Sequence, residues 1–346
     1  GGGGGEAAGD HQYLYEYKCR ISLQQIREFL YDVIIVIASE VDENNRKLDL
    51  LMSHNVKRHK ILEYYWFGIY GGGISFRNPL KDFYKLQEYT FDTWIFGMSY
   101  AVRGIYVHYL NGRAYKFCSP GMDLHYHFSC IQDLIKRIHY KPSKIILELP
   151  YYIFNYDLSL TKKNKVRMFP LYENFSDWHN FGKQEDDEKY LFNYRLFEQL
   201  FRDKRERCSS VCSNNIEVFP VKYLDVSKLS MDSFHNFYMW RDIYEETIKE
   251  NRKLLVNLIS AIAKWDSNIE IIFLVMPHSK YEEMYYADTI LNMKKIYYNS
   301  IPQNNNCRIV DCFHEFDNHD EYFMDVEHLN TNGGIIFSKM LSNMLE

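Results

Sequence analysis

From about residue 90 onward, short apolar runs alternate with segments of helical length. Strands are predicted over residues 93–98, 113–118, 144–149, 270–276 and 308–310, and helices over 123–139, 187–205, 239–265, 281–298 and 333–345. A strand that returns to its own sheet through a helix does so by a right-handed crossover, so this alternation predicts a parallel sheet with helices on both faces. We therefore expect an α/β fold, a three-layer α/β/α arrangement of the flavodoxin-like kind.

Two further regions flank or interrupt this pattern. Residues 1–12, which open with five glycines, have the composition of a linker or a cloning remnant and predict no part of the fold. Residues 13–75 show a helix, strand, helix, strand pattern, with the strands at 33–38 and 60–67, and predict a partial Rossmann-like module. Glycines and a proline at 70–79 predict a domain boundary. The span 151–238 is too long for one crossover and predicts an insertion in the 90–346 domain.

Composition excludes several classes of partner. The net charge is −5, which gives no general attraction to nucleic acid or to anionic lipid. The longest purely apolar run, 33–38, is too short to cross a bilayer, and no export signal opens the sequence. We therefore expect a cytoplasmic protein, with any membrane association arising through a partner or a missing segment.

The seven cysteines cannot all form pairs, and their spacing is not that of a compact disulfide framework. This favours free thiols in a reducing compartment. A zinc site is the alternative interpretation, built from Cys208 with Cys212 and from Cys307 with Cys312. Neither pair has the two-residue gap that is usual for zinc ligands. We expect no metal and no cofactor.

Ser99 lies at the carboxyl end of the first strand of the repeating pattern, where a helix is predicted to begin. Ligands of parallel α/β proteins bind beyond the carboxyl ends of the strands, so this hydroxyl is in a position to act on a substrate. The alternative is structural, because serine is a common N-cap that accepts from the first amides of a helix.

Asp325 and His328 follow the last predicted strand, in the stretch YFMDVEHLNTNGG. A carboxylate three residues before a histidine can accept from Nδ1, which fixes the tautomer and leaves Nε2 to face a nucleophile. The alternative is a surface Asp and His beside a helix start that is capped by Thr331 or Asn332.

The stretches FGMSYA and DVEHLNTNGG together resemble the SGNH (GDSL-type) hydrolase superfamily. They are most similar to the branch related to the D-alanine transfer protein of teichoic acid modification and to bacterial polysaccharide O-acetyltransferases. The segments CSPGMDLHYHF and KIILELPYYIFNYDLSL resemble parts of members encoded among Gram-positive capsule and cell-wall genes. The resemblance runs from about residue 90 to the end.

The resemblance implies Ser99 as nucleophile, His328 as general base and Asp325 as the residue that orients His328. It also implies an oxyanion hole formed by the Ser99 N–H, a glycine N–H after the second strand and an asparagine side chain after the third. Gly121 and Asn155 are the candidates for the last two. The sequence departs from the family where GDS becomes Gly-Met-Ser and where GxND becomes LPYYIFNYD.

The implied function is a serine-dependent acyl-esterase or O-acyltransferase that acts on a cell-surface polysaccharide or its precursor, with a glycan or an acylated small molecule as substrate. The alternative is an inactive protein of the same fold that binds glycan or an assembly partner. A metal-dependent enzyme is a third possibility. Its ligands would come from His125 and His127, which diverge at a helix start, or from His314 and His319 in a solvated loop. Glu148, at the end of a buried strand, is expected only to support the site.

Overall fold

The computed structural model describes residues 33–38, 40–67, 78–86, 89–161, 168–172, 175–183, 185–196, 199, 221–229, 242–302 and 305–346. The chain divides into two compact units, Gly1–Ile69 and Tyr70–Glu346. The division lies at the start of the stretch 70–79, in which the sequence predicts a boundary.

The first unit contains a two-stranded parallel sheet. Its elements are β1 (Ile34–Val36), α1 (Val41–Ser53), β2 (Ile61–Glu63) and α2 (Tyr64–Phe67). The strand predicted over 60–67 is half wrong, because its second half turns into the short helix α2. The helix predicted before β1 lies outside the described residues.

The second unit is built on a five-stranded sheet in which all neighbouring strands run parallel. Its strands are β3 (Thr93–Phe96), β4 (Ala114–Lys116), β5 (Lys144–Glu148), β6 (Glu270–Val275) and β7 (Cys307–Asp311). Their order across the sheet is β4-β3-β5-β6-β7. Counted within the unit this is 2-1-3-4-5, the flavodoxin-like order. The predicted α/β fold class is confirmed.

Helices connect and cover these strands. They are α3 (Pro79–Tyr84), α4 (Ser99–Gly104), α5 (Leu124–Arg137), α6 (Met168–Tyr172), α7 (Glu245–Trp265), α8 (Lys280–Tyr298) and α9 (Thr331–Met344). Residues 187–196 are also helical, and the remainder of the helix predicted over 187–205 falls mostly outside the described residues. The predicted helix 239–265 begins only at Glu245, because the Asn155 side chain binds the backbone of Asp242 and Tyr244 and holds it in a non-helical conformation.

The central strands are buried on both faces, which explains why they read as continuous apolar runs rather than as alternating ones. Aromatic side chains fill much of the space between sheet and helices. Phe96 of β3 stacks on Phe117 with the ring centroids 4.8 Å apart, and Trp94 packs edge-on to the same ring. The high aromatic content is thus used in the core.

Four cysteines fall within the described residues, and all of them are free thiols: Cys118, Cys130, Cys307 and Cys312. Cys19, Cys208 and Cys212 lie outside those residues.

In the parts of the chain that the structure describes, no helix has both the length and the apolar character that crossing a bilayer requires.

Asn251 of α7 holds the loop that follows β5. Its side-chain amide is buried and donates to the carbonyl oxygens of Phe154 and Tyr156 at 3.0 Å each, and to that of Ile153 at 3.3 Å. Without this donor the buried carbonyls lose their side-chain partner, which costs more than an exposed hydrogen bond would.

We expect Asn251→Ala to lower the free energy of unfolding by about 1–3 kcal/mol, measured by urea denaturation. Asn257→Ala is the matched control, because Asn257 lies exposed on the same helix. Equal destabilisation by the two substitutions would contradict this role for Asn251.

Candidate active site

Ser99 is the first residue of α4, directly after the turn that leaves β3. The residue in the N-cap position is Met98, which makes no side-chain capping bond, so the interpretation of Ser99 as the cap is wrong. The Ser99 hydroxyl instead lies 2.8 Å from Nε2 of His328, a residue 229 positions further along the chain.

The loop before α9 carries Asp325 and His328 in a tight turn. Oδ1 of Asp325 accepts from the backbone N–H groups of Glu327 at 2.9 Å and of His328 at 2.8 Å. The same oxygen lies 2.9 Å from Nδ1 of the His328 ring, with Oδ2 at 3.2 Å. Nδ1–H therefore donates to Asp325, and Nε2 is left to accept the Ser99 hydroxyl proton.

Asn330 fixes this turn to the helix that follows it. Its side-chain oxygen accepts from the Gly333 N–H at 3.0 Å, and its amide nitrogen donates to the carbonyl of Glu321 at 2.7 Å. Asn330 is thus the N-cap of α9, and neither Thr331 nor Asn332 has that role.

Electrostatics favour the ionised form of Asp325. Burial opposes ionisation, but the hydrogen bond and the charge of His328, together with two backbone N–H donors, outweigh it and hold the pKa of Asp325 below its usual value. A carboxylate in this position stabilises a positive charge on His328.

Glu148, at the end of β5, braces the turn that presents Ser99. Its carboxyl group is fully buried, and Oε2 accepts from the Met98 N–H at 2.7 Å. A side chain at Gly97 would collide with this carboxyl, since a Cβ there would lie 2.7 Å from Oε2. The glycine is therefore required by the close approach of Glu148, and the sequence prediction of a supporting role for Glu148 agrees with these contacts.

Gly121 has the conformation that its loop needs, with φ at +74°, where other residues are strained. Its carbonyl accepts from the Tyr156 hydroxyl at 3.1 Å. Within the described ranges, neither the Gly121 N–H nor the Ser99 N–H donates to a protein acceptor. The oxyanion role that the resemblance implies for these two groups stays a prediction.

Asn155 is engaged elsewhere. Its amide nitrogen donates to the Asp242 carbonyl and its amide oxygen accepts from the Tyr244 N–H, each at 2.8 Å. The prediction that this side chain serves the oxyanion hole is therefore corrected: the contacts of Asn155 stabilise the segment that leads into α7.

The histidines weighed as metal ligands do not converge. His125 contacts Tyr172 and stacks on His179, whereas His127 is fully buried beside Phe96. Burial lowers the pKa of His127 to about 3. His314 and His319 pair separately with carboxylates of their own loop.

Among the described residues, one group of potential ligands that no sequence motif marks consists of Asp123, Asp157 and His179, whose ligand atoms lie within 4.8 Å of one another. Each of the four carboxylate oxygens already accepts a hydrogen bond from a protein donor. Burial opposes protonation of His179, but the hydrogen bond and charge of Asp157 outweigh it and raise the pKa of His179 to about 9. The arrangement is explained by an ion pair, and we assign it no metal.

No protein family model matches the sequence, and no curated protein matches it. Comparison with solved structures finds one described as "a putative platelet activating factor from Streptococcus pneumonia". It is 12% identical to this chain and aligns over 87% of this chain and 99% of the other, with a TM-score of 0.39. Likeness at this level carries no argument about function.

Burial raises the pKa of Glu148 to about 8, although the Met98 N–H favours the ionised form. Between the ordinary value of 4.5 and about 8, folded Glu148 retains a proton that the unfolded chain has lost. Because the folded protein binds more protons than the unfolded chain in this range, the free energy of unfolding decreases as the pH rises through it. We expect Glu148→Gln, measured by urea unfolding at several pH values, to lessen the decline in stability between pH 5 and 8 by roughly 2–4 kcal/mol.

Glu246→Gln serves as the control, because Glu246 is exposed on α7. An unaltered pH dependence in the Glu148→Gln protein would show that Glu148 does not titrate as described.

Proposed function

We propose that this protein is a serine-dependent acyl-esterase or O-acyltransferase, with Ser99 as nucleophile, His328 as general base and Asp325 as its orienting carboxylate. The supporting observation is the hydrogen-bonded series from the Ser99 hydroxyl to His328 Nε2 at 2.8 Å and from His328 Nδ1 to Asp325 at 2.9 Å. A serine hydroxyl is a weak nucleophile unless a base takes its proton, and this series supplies such a base.

In the proposed first step, Ser99 Oγ attacks the carbonyl carbon of an ester or thioester while His328 Nε2 takes the hydroxyl proton. The tetrahedral oxyanion accepts from the N–H groups of Ser99 and Gly121. His328 then returns the proton to the departing alcohol or thiol as the C–O or C–S bond breaks, which leaves the acyl group on Ser99. In the second step water or a sugar hydroxyl gives its proton to His328 and attacks the acyl carbon. The bond from that carbon to Ser99 Oγ then breaks, His328 returns the proton to Oγ, and the free acid or the acylated sugar leaves.

The position of the site supports this assignment. Ser99 follows β3 and the Asp325–His328 turn follows β7, so both segments lie beyond the carboxyl ends of parallel strands, where α/β proteins bind their ligands. The side chain of His328 is 16% exposed and that of Asp325 is 42% exposed, so the imidazole is accessible while largely enclosed.

The proposed substrate is a cell-surface polysaccharide or its precursor. The support for this substrate is the resemblance of FGMSYA and DVEHLNTNGG to polysaccharide O-acetyltransferases. We also propose a cytoplasmic site of action, and the four free thiols among the described cysteines support a reducing compartment. Nucleic acid is not a proposed partner, given the net charge of −5.

A fluorophosphonate probe tests the nucleophile, because such probes react preferentially with serines that a neighbouring base activates. We expect intact protein to be labelled at Ser99, as identified by mass spectrometry of the modified peptide, and Ser99→Ala to lose the label. Ser143→Ala is the matched control: Ser143 is exposed at the opposite, amino end of β5 and should not affect labelling. Absence of labelling in the intact protein would favour the inactive, glycan-binding alternative.

Asp325→Asn tests the orienting carboxylate. An amide at this position favours the wrong histidine tautomer, so we expect the labelling rate to fall by about 100-fold or more while the fold is retained. Asp288→Asn, at an exposed position of α8, is the control. A labelling rate in Asp325→Asn equal to that of the control would remove Asp325 from the mechanism.

A further inference from the structure

Tyr100, the residue after the proposed nucleophile, packs its ring against two imidazoles. One face lies on His328, with centroids 5.1 Å apart and ring planes inclined by 22°. The Tyr100 ring also contacts that of His278, with centroids 4.7 Å apart and ring planes inclined by 44°. Tyr100 is buried, and its hydroxyl lies 3.4 Å from that of Tyr152.

His278 is itself held on two sides. Its Nδ1 lies 2.8 and 2.9 Å from the two carboxylate oxygens of Glu282, in the first turn of α8. Its ring stacks on Phe313, with centroids 4.8 Å apart and planes inclined by 13°. The rings of His328, Tyr100, His278 and Phe313 thus form a continuous series of contacts, in which the first and last pairs are stacked and the middle pair is inclined by 44°.

The stack supplies a restraint that the two hydrogen bonds of His328 lack. The bond from Nδ1 to Asp325 and the bond from Ser99 to Nε2 each hold one nitrogen of the imidazole ring in position. They leave the ring free to tilt about the line that joins its two nitrogens. A flat ring packed on its face opposes this tilt and keeps Nε2 directed at the Ser99 hydroxyl.

The charge state of His278 suits this arrangement. Burial lowers the pKa of His278 to about 4 and raises that of Glu282 well above its usual value. A neutral His278 therefore adds no positive charge beside Tyr100. Burying a histidine and a glutamate is costly compared with apolar packing, so packing alone is a poor explanation for the pair.

We propose that Tyr100 is a positioning residue for His328. We also propose that His278, oriented by Glu282, holds the Tyr100 ring in place by packing against it. The inference rests on the proposed function, because it assigns these residues to the setting of the general base. It goes beyond the triad in naming three residues whose side chains act on the reaction through the orientation of His328.

The test compares Tyr100→Phe, which keeps the stacked ring, with Tyr100→Leu, which removes it. Probe labelling is measured over a range of probe concentrations, so that the maximal rate and the half-saturating concentration are obtained separately. We expect Tyr100→Leu to reduce the maximal rate by about 10- to 100-fold, with the half-saturating concentration little changed. Tyr100→Phe should stay within about threefold of the wild type. Tyr100→Met replaces Tyr100→Leu if thermal unfolding shows that the leucine variant does not fold.

A double-mutant cycle separates positioning of His328 from a general effect on the Ser99 turn. In a His328→Ala background, where labelling is followed by mass spectrometry at raised probe concentration, Tyr100→Leu should cause no further loss. His278→Gln keeps a donor for Glu282 but removes the ring, and we expect a smaller loss of rate that also disappears in that background.

The outcomes are distinct. A loss that persists without His328, or equal losses in Tyr100→Phe and Tyr100→Leu, would overturn the inference and leave the proposed function standing. Wild-type protein that does not label, or labels equally in Ser99→Ala, would overturn both.

Discussion

The arrangement of the candidate site depends on one hydrogen bond, between His328 Nε2 and the Ser99 hydroxyl, which joins segments 229 positions apart in sequence. The parallel sheet brings those segments within reach, because β3 and β7 have their carboxyl ends on the same side of the sheet. Local contacts then set the orientation of the His328 ring and of the Ser99 hydroxyl. Asp325 fixes the imidazole from within its own turn, and Glu148 fixes the backbone in front of Ser99. Each contact is short-range, but the alignment requires the whole sheet.

Much of this could be predicted from the sequence because the relevant rules are local or topological. Buried parallel strands read as apolar runs, and their alternation with helices gives a doubly covered parallel sheet. The pairing of Asp325 with His328 needs only a spacing of three residues within one turn. Ser99 becomes a candidate because it follows the end of a strand. Since ligands bind beyond the carboxyl ends of parallel strands, the two segments are expected to lie at the same site.

The errors have a common physical cause, which is the choice of long-range partners. Asn155 lies near the end of β5, as the family pattern requires, but its amide binds backbone groups 87 and 89 positions away. The same contacts explain why α7 begins at Glu245 and not at the predicted residue 239. His278 reaches Tyr100 only because the loop after β6 meets the start of α4 in the folded chain, and no motif in the sequence marks His278 or its partner Glu282.

The most direct test of the account is a crystal structure of the protein after reaction with a phosphonate probe. The account requires the phosphorus to be bonded to Ser99 Oγ, with His328 Nε2 still within about 3 Å of that oxygen. The phosphonyl oxygen should lie about 2.7–3.1 Å from the N–H groups of Ser99 and Gly121. An adduct on another residue, or a Ser99 adduct whose oxygen points away from both N–H groups and from His328, would contradict it.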